Sequence, residues 1–255
     1  MRAAEAPAAR PNPAGRHLCF AYADLDEFLT RARAFLADGR AAGAQVRLVG
    51  DGLPDLDGVR AESLPDVYDV IDPAAQVDYW AGALADALAA GHSGLQVVGE
   101  VTPLVRSAAF GDYEHLIDRF IAQHPISGLC GYDRRVVDPA VLAELACLHP
   151  WHNVPEVPFR VHAAAGTGDL AISGELDVTG AAALVRALDR VSPALVEGEL
   201  FVEASGLDFV DHRSLLQLAS YARGRGATAV LRTPLPAAAR LVDLLQVPGL
   251  RVEAR

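Results

Sequence analysis

From His17 onward the chain alternates short apolar runs with longer segments of 3.6-residue period, the pattern of strands joined by crossover helices. That alternation restricts the fold to α/β, with mostly parallel sheets and helices on their faces. Residues 17–22 read as the first strand. Asp24 then caps a helix, with Glu27 placed to reciprocate, and Phe28, Ala32, Phe35 and Leu36 fall on one face before Gly43 ends it. Residues 45–50 form a second strand, a loop rich in Asp, Gly and Pro follows, and 68–71 is expected to be a short third strand. Asp72-Pro73 and Asp138-Pro139 each set a capping carboxylate before a proline at the first helical position, where its missing N–H costs nothing. The apolar stripes expected there are Val77, Ala81, Leu84 and Leu88 in one helix, and Val141, Leu142 and Leu145 in the other. Between them lie strands at 95–99 and 127–132 and a helix carrying Tyr113, Leu116, Ile117, Phe120 and Ile121.

Residues 151–158 contain two prolines and neither period, so a linker is expected there between a domain at 16–150 and a smaller one at 159–255, after a disordered tail at 1–15. Past the linker, strands at 159–164 and 169–173 flank Gly166-Thr167-Gly168, a natural hairpin connection. A helix with Leu184, Leu188 and Val191 in line follows, then a strand at 199–203. Next come a helix at 213–223 with Leu215, Leu218, Ala219 and Ala222 inward and a strand at 227–231. A helix carrying Ala238, Leu241, Val242 and Leu245 and a final strand at 251–253 end the chain.

Charge and composition exclude several function classes. A formal net charge of -11, with every one of the 22 basic residues an arginine, argues against wrapping a phosphate backbone. No run approaches the about 20 apolar residues of a membrane span, and the first residues lack a continuous apolar signal core, so a cytoplasmic protein is expected. Cys19, Cys130 and Cys147 show no close pairing, which suits a reducing compartment without disulfides. There is no Gly-Lys-Ser/Thr phosphate loop and no lysine to reach terminal phosphates, and Asp51 in Gly50-Asp51-Gly52 would repel them.

The second domain resembles the STAS domains of anti-sigma-factor antagonists and sulfate-transporter tails. The residues that carry the resemblance are Gly174-Glu175-Leu176-Asp177 and Ala204-Ser205-Gly206-Leu207-Asp208-Phe209-Val210-Asp211. It implies an anti-sigma factor or kinase-like partner, docked at a sheet edge and the turn after the second segment, and a switch made by phosphorylating a serine in an Asp-Ser-Ser-Gly turn. Here the turn reads Asp211-His212-Arg213-Ser214, so Arg213 occupies the place of the modified serine and Ser214 that of the glycine. A fixed positive charge at a helix N-terminus mimics neither the free nor the phosphorylated serine. Asp177, Asp211, His212, Arg213 and Ser214 are therefore the expected docking residues. Asp211 also reads as an ordinary N-cap, and Ser214 as a shifted acceptor or a first-turn polar residue.

The first domain resembles the MEDS sensory domain of methylotroph and methanogen regulators through three segments and a closing His149-Pro150. The segments are His17-Leu18-Cys19-Phe20-Ala21-Tyr22, Leu95-Gln96-Val97-Val98-Gly99-Glu100 and Leu129-Cys130-Gly131-Tyr132-Asp133-Arg134-Arg135. The resemblance implies a RecA-like fold and a small organic ligand. In an open parallel sheet, ligands collect at the carboxyl ends of the strands, which gathers Cys19, Tyr22, Asp51, Glu100, Tyr132 and Asp133 as the expected ligand set. His17, Cys19, Cys130 and His149 are possible soft metal ligands if their strands adjoin. Their spacing is unlike a compact zinc motif, so buried cysteines and a capping histidine are the default and no metal is expected. Cys147 reads as core, and His92, His115 and His124 as residues of helix ends or polar faces.

No nucleophile elbow, histidine pair or carboxylate dyad emerges, so a non-enzymatic signalling protein is expected, with no cofactor assigned. Two alternatives stand beside the sensor. One is a constitutive antagonist whose first domain is structural; the other is an enzyme or cofactor-binding protein using the strand-end pocket.

Overall fold

The computed structural model describes residues 16–68, 72–107, 109–155, 157–164 and 170–254. The chain divides into two compact units, Met1–Pro155 and Glu156–Arg255. Both are α/β.

In the first unit, β1 (His17–Tyr22), α1 (Leu25–Ala41), β2 (Gln45–Val49), β3 (Ala61–Glu62), α2 (Leu64–Val67) and α3 (Pro73–Ala89) lead to β4 (Leu95–Glu100). A 3-10 turn (Thr102–Arg106), α4 (Phe110–Gln123), β5 (Ile126–Asp133), α5 (Pro139–Cys147) and β6 (Trp151–His152) complete it. The six strands lie in the order β3-β2-β4-β5-β1-β6, and every pairing among them is parallel. Period-2 alternation divides the side chains between two faces. Leu18, Phe20, Tyr22, Leu48, Val98 and Leu129 join Phe28, Ala32, Phe35 and Leu36 of α1 in one core. The opposite face carries His17, Cys19, Cys130 and Tyr132.

The capping carboxylates act as their spacing predicts. Asp24 accepts from the Asp26 amide at 2.8 Å, while Glu27 reaches back to the Ala23 amide at 3.1 Å. Asp72 accepts from Ala74 and Ala75, and Asp138 from Ala140 and Val141, with Pro73 and Pro139 opening α3 and α5.

Four sequence expectations need correction in this unit, the first being that Val141, expected in the stripe of α5, is exposed while Leu142, Leu145, Ala146 and Cys147 are buried. The buried stripe of α3 is Gln76, Trp80, Leu84 and Ala87, with Leu88 44 % exposed, because Trp80 rather than Val77 sets which face turns inward. The loop before residue 66 holds β3 and α2, and Tyr68 caps α2 rather than starting a strand, while residues 69–71 lie outside the described set. Trp151–His152, read as linker, is the sixth strand. It is completed by Asn153, whose side-chain amide accepts from the Ala21 N–H at 2.7 Å and donates to the Ala21 carbonyl at 2.8 Å. That amide does at the sheet edge what a further strand residue would do.

The second unit runs β7 (Phe159–His162), β8 (Leu170–Leu176), α6 (Ala181–Val191), β9 (Glu199–Val210), α7 (His212–Gly224), β10 (Thr228–Arg232), α8 (Pro236–Leu245) and β11 (Leu250–Glu253). Its sheet has the order β11-β10-β9-β8-β7, antiparallel between β7 and β8 and parallel elsewhere. The Gly166-Thr167-Gly168 connection lies outside the described residues. α6 and α7 bury the stripes expected of them. β9 is longer than expected, because residues 204–210 continue the ladder with β8 through register shifts instead of leaving the sheet. At the end of α8, Leu245 is 44 % exposed, and Val247 is buried in its stead beyond the left-handed turn at Gln246.

Candidate functional site

The parallel register of β1 and β5 sets Cys19 opposite Cys130 and His17 opposite Gly128. On this face α4 brings up Glu114 and Asp118, one helical turn apart, and the segment after α5 brings up His149. His17, Glu114, Cys130 and His149 gather so that one donor atom of each lies within 4.8 Å of all the others. Glu114 Oε2 stands 3.2 Å from His17 Nε2 and 3.1 Å from His149 Nε2. Cys130 Sγ lies 3.5 Å from His17 Nε2 and 3.8 Å from Glu114 Oε2.

A second layer holds these groups in place. His17 Nδ1 pairs with Asp118 Oδ1 at 3.0 Å, and His149 Nδ1 donates to the Leu145 carbonyl at 2.8 Å. Tyr132 donates its hydroxyl to the other Glu114 oxygen, Oε1, at 3.1 Å. Both imidazoles are thereby fixed with Nε2 turned toward the Glu114 carboxylate. His149 Nε2 is buried and makes no hydrogen bond, although Glu114 is near it.

The electrostatics follow from burial against mutual attraction. Burial works to raise the Glu114 pKa, yet the charge of His149 beside it and the hydrogen bond and charge of His17 hold it far below the usual carboxylate range. Burial and the charge of His17 press His149 down, but Cys130 and Glu114 lift it to about 9. His17 is likewise raised well above the ordinary imidazole value, since its bonds to Asp118, Cys130 and Glu114 outweigh its desolvation. Burial, with Cys130 and Glu114 adding to it, pushes the Cys19 thiol up.

His17 and Cys130 also line a cavity of about 30 Å³, room for roughly two water molecules. Its other walls are Val97, Val101, Ile117 and Ile121 and the rings of Tyr68, Trp80 and Tyr113. Trp80 Nε1 donates to the Tyr113 hydroxyl at 2.9 Å, and the Tyr68 and Tyr113 hydroxyls lie 3.3 Å apart. The polar tips of the rings thus satisfy one another.

The expected strand-end set divides among separate places. Tyr22 donates to Glu100 Oε1 at 2.9 Å. Asp133 pairs with Arg135 at 2.7 Å, and its amide donates to Thr102 Oγ1 at 2.8 Å. Asp51 instead accepts from the Leu64 amide at 2.9 Å and so caps α2. Tyr132 belongs to the buried cluster, and Cys19, fully buried, lies beside that cluster but outside its donor group. Of the soft ligands considered from sequence, His17, Cys130 and His149 do come together.

Glu114 and Asp118 escaped the sequence reading. Their one signal is spacing: with Phe110, Ile117 and Ile121 they continue the buried stripe of α4, so two carboxylates occupy core positions. His115, expected on a polar face, is buried as well, at 4 % exposure.

In the second unit, Asp211 caps α7 by accepting from the Ser214 amide at 2.8 Å. The Ser214 hydroxyl is buried and donates to the Asp177 carbonyl at 3.4 Å, so it serves packing. Asp177 Oδ1 accepts from the Thr179 amide at 2.9 Å and the Gly180 amide at 3.1 Å, ordering the turn before α6. His212 and Arg213 are exposed.

The first unit is thus a parallel α/β domain with a buried polar cluster beside a small aromatic-walled cavity. Residues 16–150 match the model of the MEDS family, the methanogen/methylotroph DcmR sensory domain, and the chain belongs to that family, with a role in signalling as a sensor. No curated protein and no solved structure matches the chain. Among the described residues, no helix is long and apolar enough to cross a membrane.

Proposed function

We propose that this chain is a bacterial cytoplasmic regulator in which a small-molecule sensor domain is coupled to a STAS-type protein-docking domain of the anti-sigma-factor-antagonist kind. No catalytic role is assigned to it. On the input side, a cavity of about 30 Å³ fits a ligand of only a few heavy atoms, which agrees with the methanogens and methylotrophs that the family's description names, organisms that live on one-carbon compounds.

The output reading is carried by one observation, the exposed turn at the start of α7. Asp211 N–H donates to the Leu176 carbonyl at 2.9 Å and Ser214 to Asp177, which ties together the two segments that resemble STAS domains. Around that turn Val178, Phe209 and Leu216 are 49 %, 48 % and 41 % exposed, apolar surface suited to a protein partner. Arg213 stands where the family's phosphorylated serine stands, so docking here escapes that switch. Control then falls to the sensor domain or the partner.

The test is capture of an anti-sigma factor or kinase-like protein from an extract of the source organism, with and without ATP. Wild type should hold its partner in both conditions, whereas Arg213→Ser should be phosphorylated and release it with ATP. Absence of any such partner from both forms would remove the docking reading and leave the sensor reading standing.

A further inference from the structure

We infer that His17, Glu114, Cys130 and His149 form a binding site for one divalent transition-metal ion, with zinc the ion that best fits its donors. The proposal deepens the sensor reading and rests on it only for what the site serves. Two imidazole nitrogens, a carboxylate oxygen and a thiolate are a borderline-soft set that takes zinc in tetrahedral geometry.

The spacing fits that geometry. Zinc bonds of about 2.0–2.1 Å to nitrogen or oxygen and about 2.3 Å to sulfur, at tetrahedral angles, separate neighbouring donors by about 3.3–3.6 Å. The donors stand 3.2 Å and 3.1 Å apart for Glu114 with His17 and His149. They stand 3.5 Å and 3.8 Å apart for Cys130 with His17 and Glu114.

A purely structural ion-pair cluster accounts for less. His149 Nε2 is fully buried and, at 3.1 Å from Glu114 Oε2, sits at ion-pair distance without making a hydrogen bond. Its Nδ1–H is committed to the Leu145 carbonyl, so in the neutral ring the Nε2 lone pair is directed at the other donors. Asp118 behind His17 and Tyr132 behind Glu114 supply the outer bonds that orient metal ligands. On binding, Cys130 acts as thiolate and His17 and His149 as neutral rings, so the thiol proton and any Nε2 proton that the imidazoles hold against Glu114 pass to solvent. Because His17 and Cys130 also line the cavity, a small molecule there would meet two of the ion's ligands.

The test uses the full chain, purified under a non-thiol reductant without chelator, with its metal content counted and Co²⁺ titrated into the stripped protein. One equivalent of metal per chain is expected. Co²⁺ should give tetrahedral visible bands and a thiolate charge-transfer band that saturate at one equivalent and vanish when Zn²⁺ is added. Cys130→Ser should abolish the charge-transfer band, while Cys19→Ser should keep it. Failure of the folded wild type to bind near one equivalent, or a charge-transfer band that survives in Cys130→Ser, overturns the site. Should Cys130→Ser not fold, the wild-type stoichiometry decides alone. One-carbon probes that still bind the stripped protein would separate loss of the metal site from loss of the sensor reading.

Discussion

Replacing Glu114 with alanine is expected to destabilise the first domain by about 3–5 kcal/mol, even in chelator, where no ion contributes. The carboxylate is fully buried and is the group on which His17 Nε2 and His149 Nε2 both converge. Its removal leaves two imidazoles, both raised above their ordinary pKa, in a low-dielectric interior without their common counter-charge. It also strips the Tyr132 hydroxyl of its acceptor. For a domain of this size the loss corresponds to a fall of roughly 6–20 °C in Tm. Tyr132→Phe, which removes only one bond to the carboxylate, should cost about 1.5–3 kcal/mol. Urea unfolding of the full chain followed by near-ultraviolet circular dichroism measures both. A Glu114→Ala cost below about 1 kcal/mol would show that the cluster is not an interdependent unit.

Gly174→Ala should damage the second domain by roughly 2–5 kcal/mol, the sum of a backbone and a steric term. Gly174 has φ +91, and a Cβ there would come within 2.3 Å of the Pro158 carbonyl oxygen. That oxygen is itself committed, accepting from the Glu175 amide at 2.7 Å where β7 pairs with β8. It cannot retreat without opening the edge of the sheet. Gly198 separates the two terms, since at φ +77 a Cβ there meets nothing within 4 Å, so Gly198→Ala should lose only about 1–2 kcal/mol. Calorimetry that finds the two variants equally stable would contradict the steric part. The glycine quoted for the STAS resemblance thus has a physical reason of its own.

Much of this fold is legible in the sequence because local rules act alone there. The Asp-Pro pairs at residues 72 and 138 start α3 and α5 as read, and the apolar run of residues 17–22 forms the first strand as read. What escaped depends on partners distant in sequence. Trp151–His152 has no apolar alternation to reveal it and is defined by the β1 edge together with Asn153. The stripe of α3 is turned by Trp80, whose position answers to Tyr113 on another helix. Periodicity counts apolar residues, so it passed over Glu114 and Asp118, whose place in the core is legible only once His17 and His149 are seen facing them. The strand-end rule gathered Tyr22, Glu100 and Asp133 as expected of an open sheet, but here those groups bond to each other or to near neighbours.

The central claim is that the cavity beside the buried cluster receives a small molecule, and Trp80 in its wall reports on that directly. The chain has two tryptophans, so Trp151→Phe leaves Trp80 as the sole indole emitter. Methanol, methylamine and methanethiol, titrated separately into that variant of the full chain, are the probes. The account predicts a saturable change in Trp80 emission with at least one of them, accompanied by a rise in Tm. Emission and Tm unaffected by all three, in protein whose circular dichroism shows it folded, would contradict it.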